Sequence, residues 1–217
     1  MQEWLLAHYD VLKDFAGPLV TLLGLSITTI LAIAGLKTFA RWRWEFIEAR
    51  RIDLALEVLA AAHESKFVFG QIRDPNGFEG EWSRMPVKEG ESPEDRSRRG
   101  GSYAILVRLN AHADYFERVS RLQPKAIAVF GAGTEAAFQR LSRAYALVRD
   151  AAIQLTWQMP VHPQHPTEED FAMRMRLRGD LWEGFQPPDR VETELSTFRS
   201  DIETLLRPII AREFQRR

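Results

Sequence analysis

The chain has 217 residues, 45% hydrophobic and 27% charged, with a net charge of −1. Near-neutrality gives no general excess of cations for phosphate neutralisation, so no nucleic-acid partner is expected. There is no cysteine, which excludes disulfides and thiolate metal sites and suits a reducing cytoplasm.

Residues 15–36 read FAGPLVTLLGLSITTILAIAGL and carry no charge. As a helix they reach roughly 33 Å, against a hydrocarbon core of about 30 Å. In lipid every backbone N–H and C=O needs an internal partner, and a lone segment finds one only as a helix. Pro18 falls in the first turn, where a missing N–H costs little. The run is too long for the apolar part of a signal peptide, and Glu3, Asp10 and Asp14 precede it with only Lys13 as a cation. The prediction is a transmembrane helix over 15–36, with residues 1–14 a short extracytoplasmic N-terminus.

Beyond the run, Lys37, Arg41, Arg43, Arg50 and Arg51 outweigh Glu45 and Glu48. Basic flanks stay on the cytoplasmic side, so the later residues are placed inside the cell. Trp4 and Tyr9 on one side, and Trp42 and Trp44 on the other, suit the two interfaces. The predicted membrane-interface set is therefore Trp4, Lys37, Arg41, Trp42, Arg43 and Trp44. Within the run, Gly17, Thr21, Gly24, Thr28, Ala32 and Gly35 recur at steps of 3 and 4 and line one helix face. Small residues allow close helix–helix approach, so this stripe is the candidate surface for self-association.

Residues 37–73 continue as a juxtamembrane helix, with Ile52, Leu56 and Leu59 as its apolar stripe and Asp74-Pro75-Asn76-Gly77 as its stop. Residues 74–101 contain three prolines, five glycines and the stretch KEGESPEDRSRR. Few apolar groups offset the entropy of ordering, so a flexible loop is expected. Ser102 is a candidate cap for a helix with Ile105, Leu109, His112, Phe116 and Val119 on one face, ending before Pro124 and a short apolar turn, KAIAVFG. Thr134 opens a helix to about residue 158, broken by Met159-Pro160. Thr167 with Asp170 forms a capping box for a helix to about Glu183. Asp189 caps the last helix, with Val191, Leu195, Phe198, Ile202, Leu205 and Ile209 inward and a break at Pro208. The fold class is all-α: one N-terminal transmembrane helix continuing into a cytoplasmic antiparallel bundle of about five helices, the bundle occupying 102–217.

Candidate chemistry is sparse. Gly131-Ala132-Gly133-Thr134-Glu135-Ala136 fits G-x-G-x-x-A, but no alternation of strands and helices surrounds it, so it is read as a helix end and turn. His162 and His165 precede Glu168, Glu169 and Asp170, a set able to hold zinc, yet the adjoining prolines put both imidazoles on a loop. They are the only metal candidates. His63 with Glu64, and His112 with Asp114, do not share a helix face, and His112 falls on an apolar stripe as a hydrogen-bonded core residue. No catalytic residue and no cofactor are expected.

The helix IEARRIDLALEVLAAAHESKFVFGQIRDP after a basic-aromatic patch, then LQPKAIAVFG and IETLLRPII, resemble a set of uncharacterised bacterial single-pass membrane proteins with a helical cytosolic part. The resemblance covers most of the chain. It implies fold and an inner-membrane location, and no activity. Three roles follow: a scaffold that docks an unknown cytosolic protein at the lipid bilayer, an effector of defence or toxin type that oligomerises through its span, or an enzyme whose site the sequence does not display.

Overall fold

Capping and stop signals fix most helix ends. The computed structural model describes the backbone of residues 2–77, 79–159 and 167–214, and the side chains of 17–77, 80–159 and 167–211. Among these residues there are six α-helices and no strand: α1 (Gln2–Ile72), α2 (Pro93–Ala111), α3 (Ala113–Phe130), α4 (Ala132–Ile153), α5 (Glu168–Leu181) and α6 (Arg190–Phe214). The chain divides within α1 into two units, Met1–Arg51 and Ile52–Arg217.

The first unit has no apolar core among the described residues: every side chain from Gly17 to Ile47 is exposed. The second is built around α4, which packs on α2, α3, α5 and most extensively α6. Phe138 of α4 meets Phe198 of α6 with ring centroids 5.8 Å apart. Close approach elsewhere in α4 follows from small residues, with Ala137, Ala144 and Ala151 all buried at a seven-residue repeat. Gly133 serves the same contact, because a Cβ there would lie 3.2 Å from Leu205. Phe69 of α1 and Tyr145 of α4 both set their rings edge-on to Phe116 of α3.

Several boundaries differ from the sequence reading. The buried face of α1 beyond residue 52 is Ala55, Val58, Ala62, Ser65, Phe69 and Ile72, while Leu56 is exposed. Small residues, Ala55, Ala62 and Ser65, alternate with Val58, Phe69 and Ile72 on this face, while Leu54 and Leu59 pack at its edge. Residues 74–101 are largely built, with a 3-10 turn at Glu79–Trp82 and α2 starting at Pro93. Ser92, not Ser102, caps α2: its Oγ accepts from the Asp95 N–H, Pro93 takes the first helical position, and Glu94 and Asp95 occupy the first turn. The helix breaks once, at His112, whose φ of −97° and ψ of 17° leave the helical region. This one-residue interruption turns Tyr115 inward in the place predicted for His112, which is only half-buried.

α3 then runs through Pro124, and α6 through Pro208, where breaks were predicted. In each case the proline and the residue four before it, Ser120 or Thr204, are exposed. Both prolines thus lie on the solvent side of their helices, where water is at hand for a carbonyl left without its N–H partner. Gly131, with φ +87°, closes α3 and opens α4 in the role predicted for Thr134, while Thr134 itself is buried. α4 ends in a π-helical turn, Gln154–Gln158. The capping box of Thr167 and Asp170 is present, and Asp189 caps α6 by accepting from the Glu192 N–H at 3.0 Å.

What orders the segment before α2 is the Trp82 ring, which lies over Gly100: a Cβ at Gly100 would fall 2.7 Å from two ring atoms. Gly100→Ala should therefore cost about 1–3 kcal/mol through overpacking, lowering Tm by several degrees in a thermal melt of the detergent-solubilised chain. An unchanged Tm would mean that the tryptophan does not seat there.

Candidate functional site

In α1 the six small residues Gly17 to Gly35 fall within an arc of about 80° at 100° per residue, and all six are exposed. A Cβ added at Gly17, Gly24 or Gly35 would meet nothing within 4 Å. The hydroxyls of Thr21, Ser26, Thr28, Thr29 and Thr38 each donate to the carbonyl four residues earlier, at 2.7–2.9 Å. Every hydroxyl donor in the apolar run is thereby satisfied inside the helix, which removes the cost of placing it in a waterless medium. This helix is long and apolar enough to cross a membrane.

Past the run, Lys37, Arg41, Trp42, Arg43 and Trp44 are all exposed on α1. Trp4 belongs to the same helix, and its side chain lies outside the described residues. Arg41 pairs with Glu45 at 3.0 Å and Arg51 with Glu48 at 3.7 Å. Phe39, Trp42 and Phe46 form a run of ring contacts, with centroids 6.2 and 6.1 Å apart, and the Arg50 guanidinium sits 5.0 Å above Phe46.

In the second unit the polar chemistry centres on three arginines. Arg73 is fully buried at the end of α1. Its guanidinium donates to the Gly179 and Asp180 carbonyls at the end of α5, at 2.9 and 3.1 Å, and to both carboxylate oxygens of Asp189 at the start of α6, at 3.0 and 2.9 Å. A cation there satisfies carbonyls that a helix C-terminus leaves open. Asp180 in turn accepts from Arg190. Arg108 performs the same service for α1: it donates to the Gln71 and Ile72 carbonyls at 3.5 and 3.4 Å, to the carbonyls of Asp74 and Asn76 in the turn that follows at 2.6 and 2.9 Å, and bidentately to Glu81. Arg99, also buried, donates twice to Glu91 at 2.6 Å and to the Pro86 carbonyl at 2.7 Å, with its guanidinium 5.3 Å from the Trp157 ring. Lys88 reaches the carbonyls of Thr156 and Trp157 that the π-helical turn presents, at 3.3 Å each.

Sequence reading missed these clamps because Arg73 and Arg99 stand in polar stretches, QIRDPNG and KEGESPEDRSRR, that look solvated, while Arg108 is a lone cation within the apolar ILVRLN. Periodicity reports only one-sided burial within an element, and these partners lie in other elements or in connecting segments.

The remaining candidates do not converge. His63 Nε2 lies 3.2 Å from Glu203, His112 stands at the α2–α3 junction, and His162 and His165 lie outside the described residues. The glycine-rich 131–136 motif follows a helix, α3, rather than a strand. A groove of about 760 Å³ between α4, α5 and α6 has an apolar floor including Leu147, Met173 and Leu177, and a rim that includes Arg143, Arg176 and Glu194. Tyr115, buried against α1, donates its hydroxyl to the Ala61 carbonyl at 3.0 Å, and burial pushes its titration upward.

The hydrogen bond from Arg99 holds the Glu91 carboxyl below its ordinary 4.5, against the opposing effect of burial. A carboxyl depressed by folding contributes stability above its unfolded value and loses it as pH falls through the folded one. The urea midpoint should thus decline as pH drops below about 4.5, and Glu91→Gln should flatten part of that slope. Parallel slopes in both proteins would remove this pair from the acid response.

No protein-family model, no curated protein and no solved structure matches this chain, so its role is argued from its own residues.

Proposed function

We propose that the chain is a non-catalytic, single-pass scaffold of the bacterial inner membrane. α1 spans the bilayer, the N-terminal side lies outside, and the helices after Ile52 form a cytoplasmic bundle that docks a protein partner. One observation carries the anchor: every side chain from Gly17 to Ile47 is exposed, while the helices that follow bury their apolar faces in a core of their own. Apolar surface of that extent marks contact with lipid or protein. The cations of 37–51 support the orientation. The groove between α4, α5 and α6 supports a docking role, since an apolar floor with a mixed-charge rim suits a protein segment.

A second reading, an effector that oligomerises through its span, draws on the six-residue small stripe, which among the described residues meets nothing at its three glycines.

One experiment separates the two. A photo-crosslinker at Met173, in membranes from expressing cells, should capture a second polypeptide of different mass, and deleting residues 102–217 should abolish its recovery with the chain. Capture of the chain's own copies alone, lost with Gly24→Leu and Thr28→Leu, would replace the scaffold with the effector.

A further inference from the structure

The segment of α1 just past the apolar run has two unlike sides. At about 100° per residue, Phe39, Trp42, Arg43, Phe46 and Arg50 share one side. Glu45 and Glu48, the acidic residues between Lys37 and Arg51, fall on the other with Arg41 and Arg51, to which they are paired at 3.0 and 3.7 Å. Between Lys37 and Arg51 the first side therefore carries two arginines and no carboxylate, and the next acidic residue on it is Asp53, about one turn beyond Arg50. Its aromatic groups stack in sequence, Phe39 on Trp42 and Trp42 on Phe46, and the Arg50 guanidinium caps the stack 5.0 Å above Phe46. Residues 39–47 are exposed throughout, so among the described residues nothing in the chain covers this side.

We infer that this side is a seat for the phosphate headgroup of an anionic phospholipid, and that it gives the anchor a preference for anionic over zwitterionic lipid. The inference rests on the membrane-anchor reading above.

Orientation alone needs only a count of cations; it does not need the carboxylates gathered on the opposite side. Depth separates the two cations. Helical side chains lean toward the N-terminus, so Arg50 places its charge near the level of Phe46 rather than beyond it. Measured from Leu36, the end of the apolar run, Arg43 lies about 10 Å further on and Phe46 about 15 Å. The headgroup layer is roughly 5–8 Å on each side, so the same lean brings the Arg43 charge into it, while Arg50 stands beyond its outer face, within about a Debye length of the lipid charge. The chemistry agrees with the assignment. A guanidinium forks onto a phosphate, and aromatic rings prefer the interface. A zwitterionic lipid would bring its own ammonium group against the two arginines. A soluble phosphate would find an open, mostly aromatic surface with no enclosing walls, where it gains little over water.

The test uses the full chain in vesicles of phosphatidylcholine containing spin-labelled phosphatidylglycerol or spin-labelled phosphatidylcholine, reading the fraction of label immobilised by protein. Wild type should favour the anionic label several-fold. Arg43→Gln or Arg50→Gln should each reduce the preference by up to about five-fold. Arg41→Gln, which removes a paired cation on the other side, should leave most of it. Trp42→Ala, which keeps every charge, should also weaken it. Equal association of the two labels, equal loss in Arg41→Gln and Arg50→Gln, or cancellation by inorganic phosphate at constant ionic strength would overturn the seat. Flotation with pure phosphatidylcholine vesicles tells the two failures apart. A chain that floats yet shows no preference keeps its anchor and loses the seat; a chain that does not float loses both.

Discussion

Apolar surface that no described residue covers governs this protein. Ten large aliphatic side chains between Leu19 and Leu36 are exposed. At about 1.5–3 kcal/mol each, keeping them in water would cost on the order of 15–30 kcal/mol, more than a domain's whole net stability. The second unit has a core of its own, where Phe138, Phe198, Ile202 and Leu206 are already fully buried. The hydroxyls of the run donate to helix carbonyls instead of seeking outside partners, which makes the surface compatible with hydrocarbon.

Beyond Ile52 a different physics takes over. Helix ends meet one another, and their open carbonyls are met by arginines. Arg73 joins the end of α1 to the end of α5 and the start of α6, and Arg108 closes the end of α1 together with Glu81. Burying such cations is costly unless each is paired and fully hydrogen-bonded, and removing one partner of a buried pair typically costs 3–5 kcal/mol. The arrangement fixes where α1 ends relative to α5 and α6 within the second unit more firmly than apolar packing alone would. It also shows why charge density is a poor guide here: the most charged connector contributes Arg99 and Glu91, a buried pair.

Helix class, the stops after α1 and α5, the Thr167 capping box and the Asp189 cap were legible, because each depends on residues within a few positions of one another. The inward face of α6 was mostly legible too, apart from Leu206 taking the place expected of Leu205. What was hidden depends on distant partners. Nothing near Gly100 announces that Trp82 lies on it, and nothing near His112 marks a break, since no glycine or proline occurs from 110 to 114. Pro124 and Pro208 misled because their effect depends on whether the freed carbonyl faces water, a property of the packed state. Of the candidate site, the spacing of the small stripe and of the basic and aromatic residues after it is given by the chain order, their roles standing as proposals, while the division of the juxtamembrane helix into an ion-paired side and an aromatic side emerged only from side-chain geometry.

The absence of cysteine makes the central claim directly measurable. Single cysteines placed along 15–51 in the full chain, in intact cells and in inverted membrane vesicles, can be probed with a membrane-impermeant maleimide. The account predicts a block of unreactive positions from about Val20 to Leu36, with Ala49 labelled only in inverted vesicles. Uniform labelling through Leu25 and Ile30, or labelling of Ala49 from outside intact cells, would contradict it.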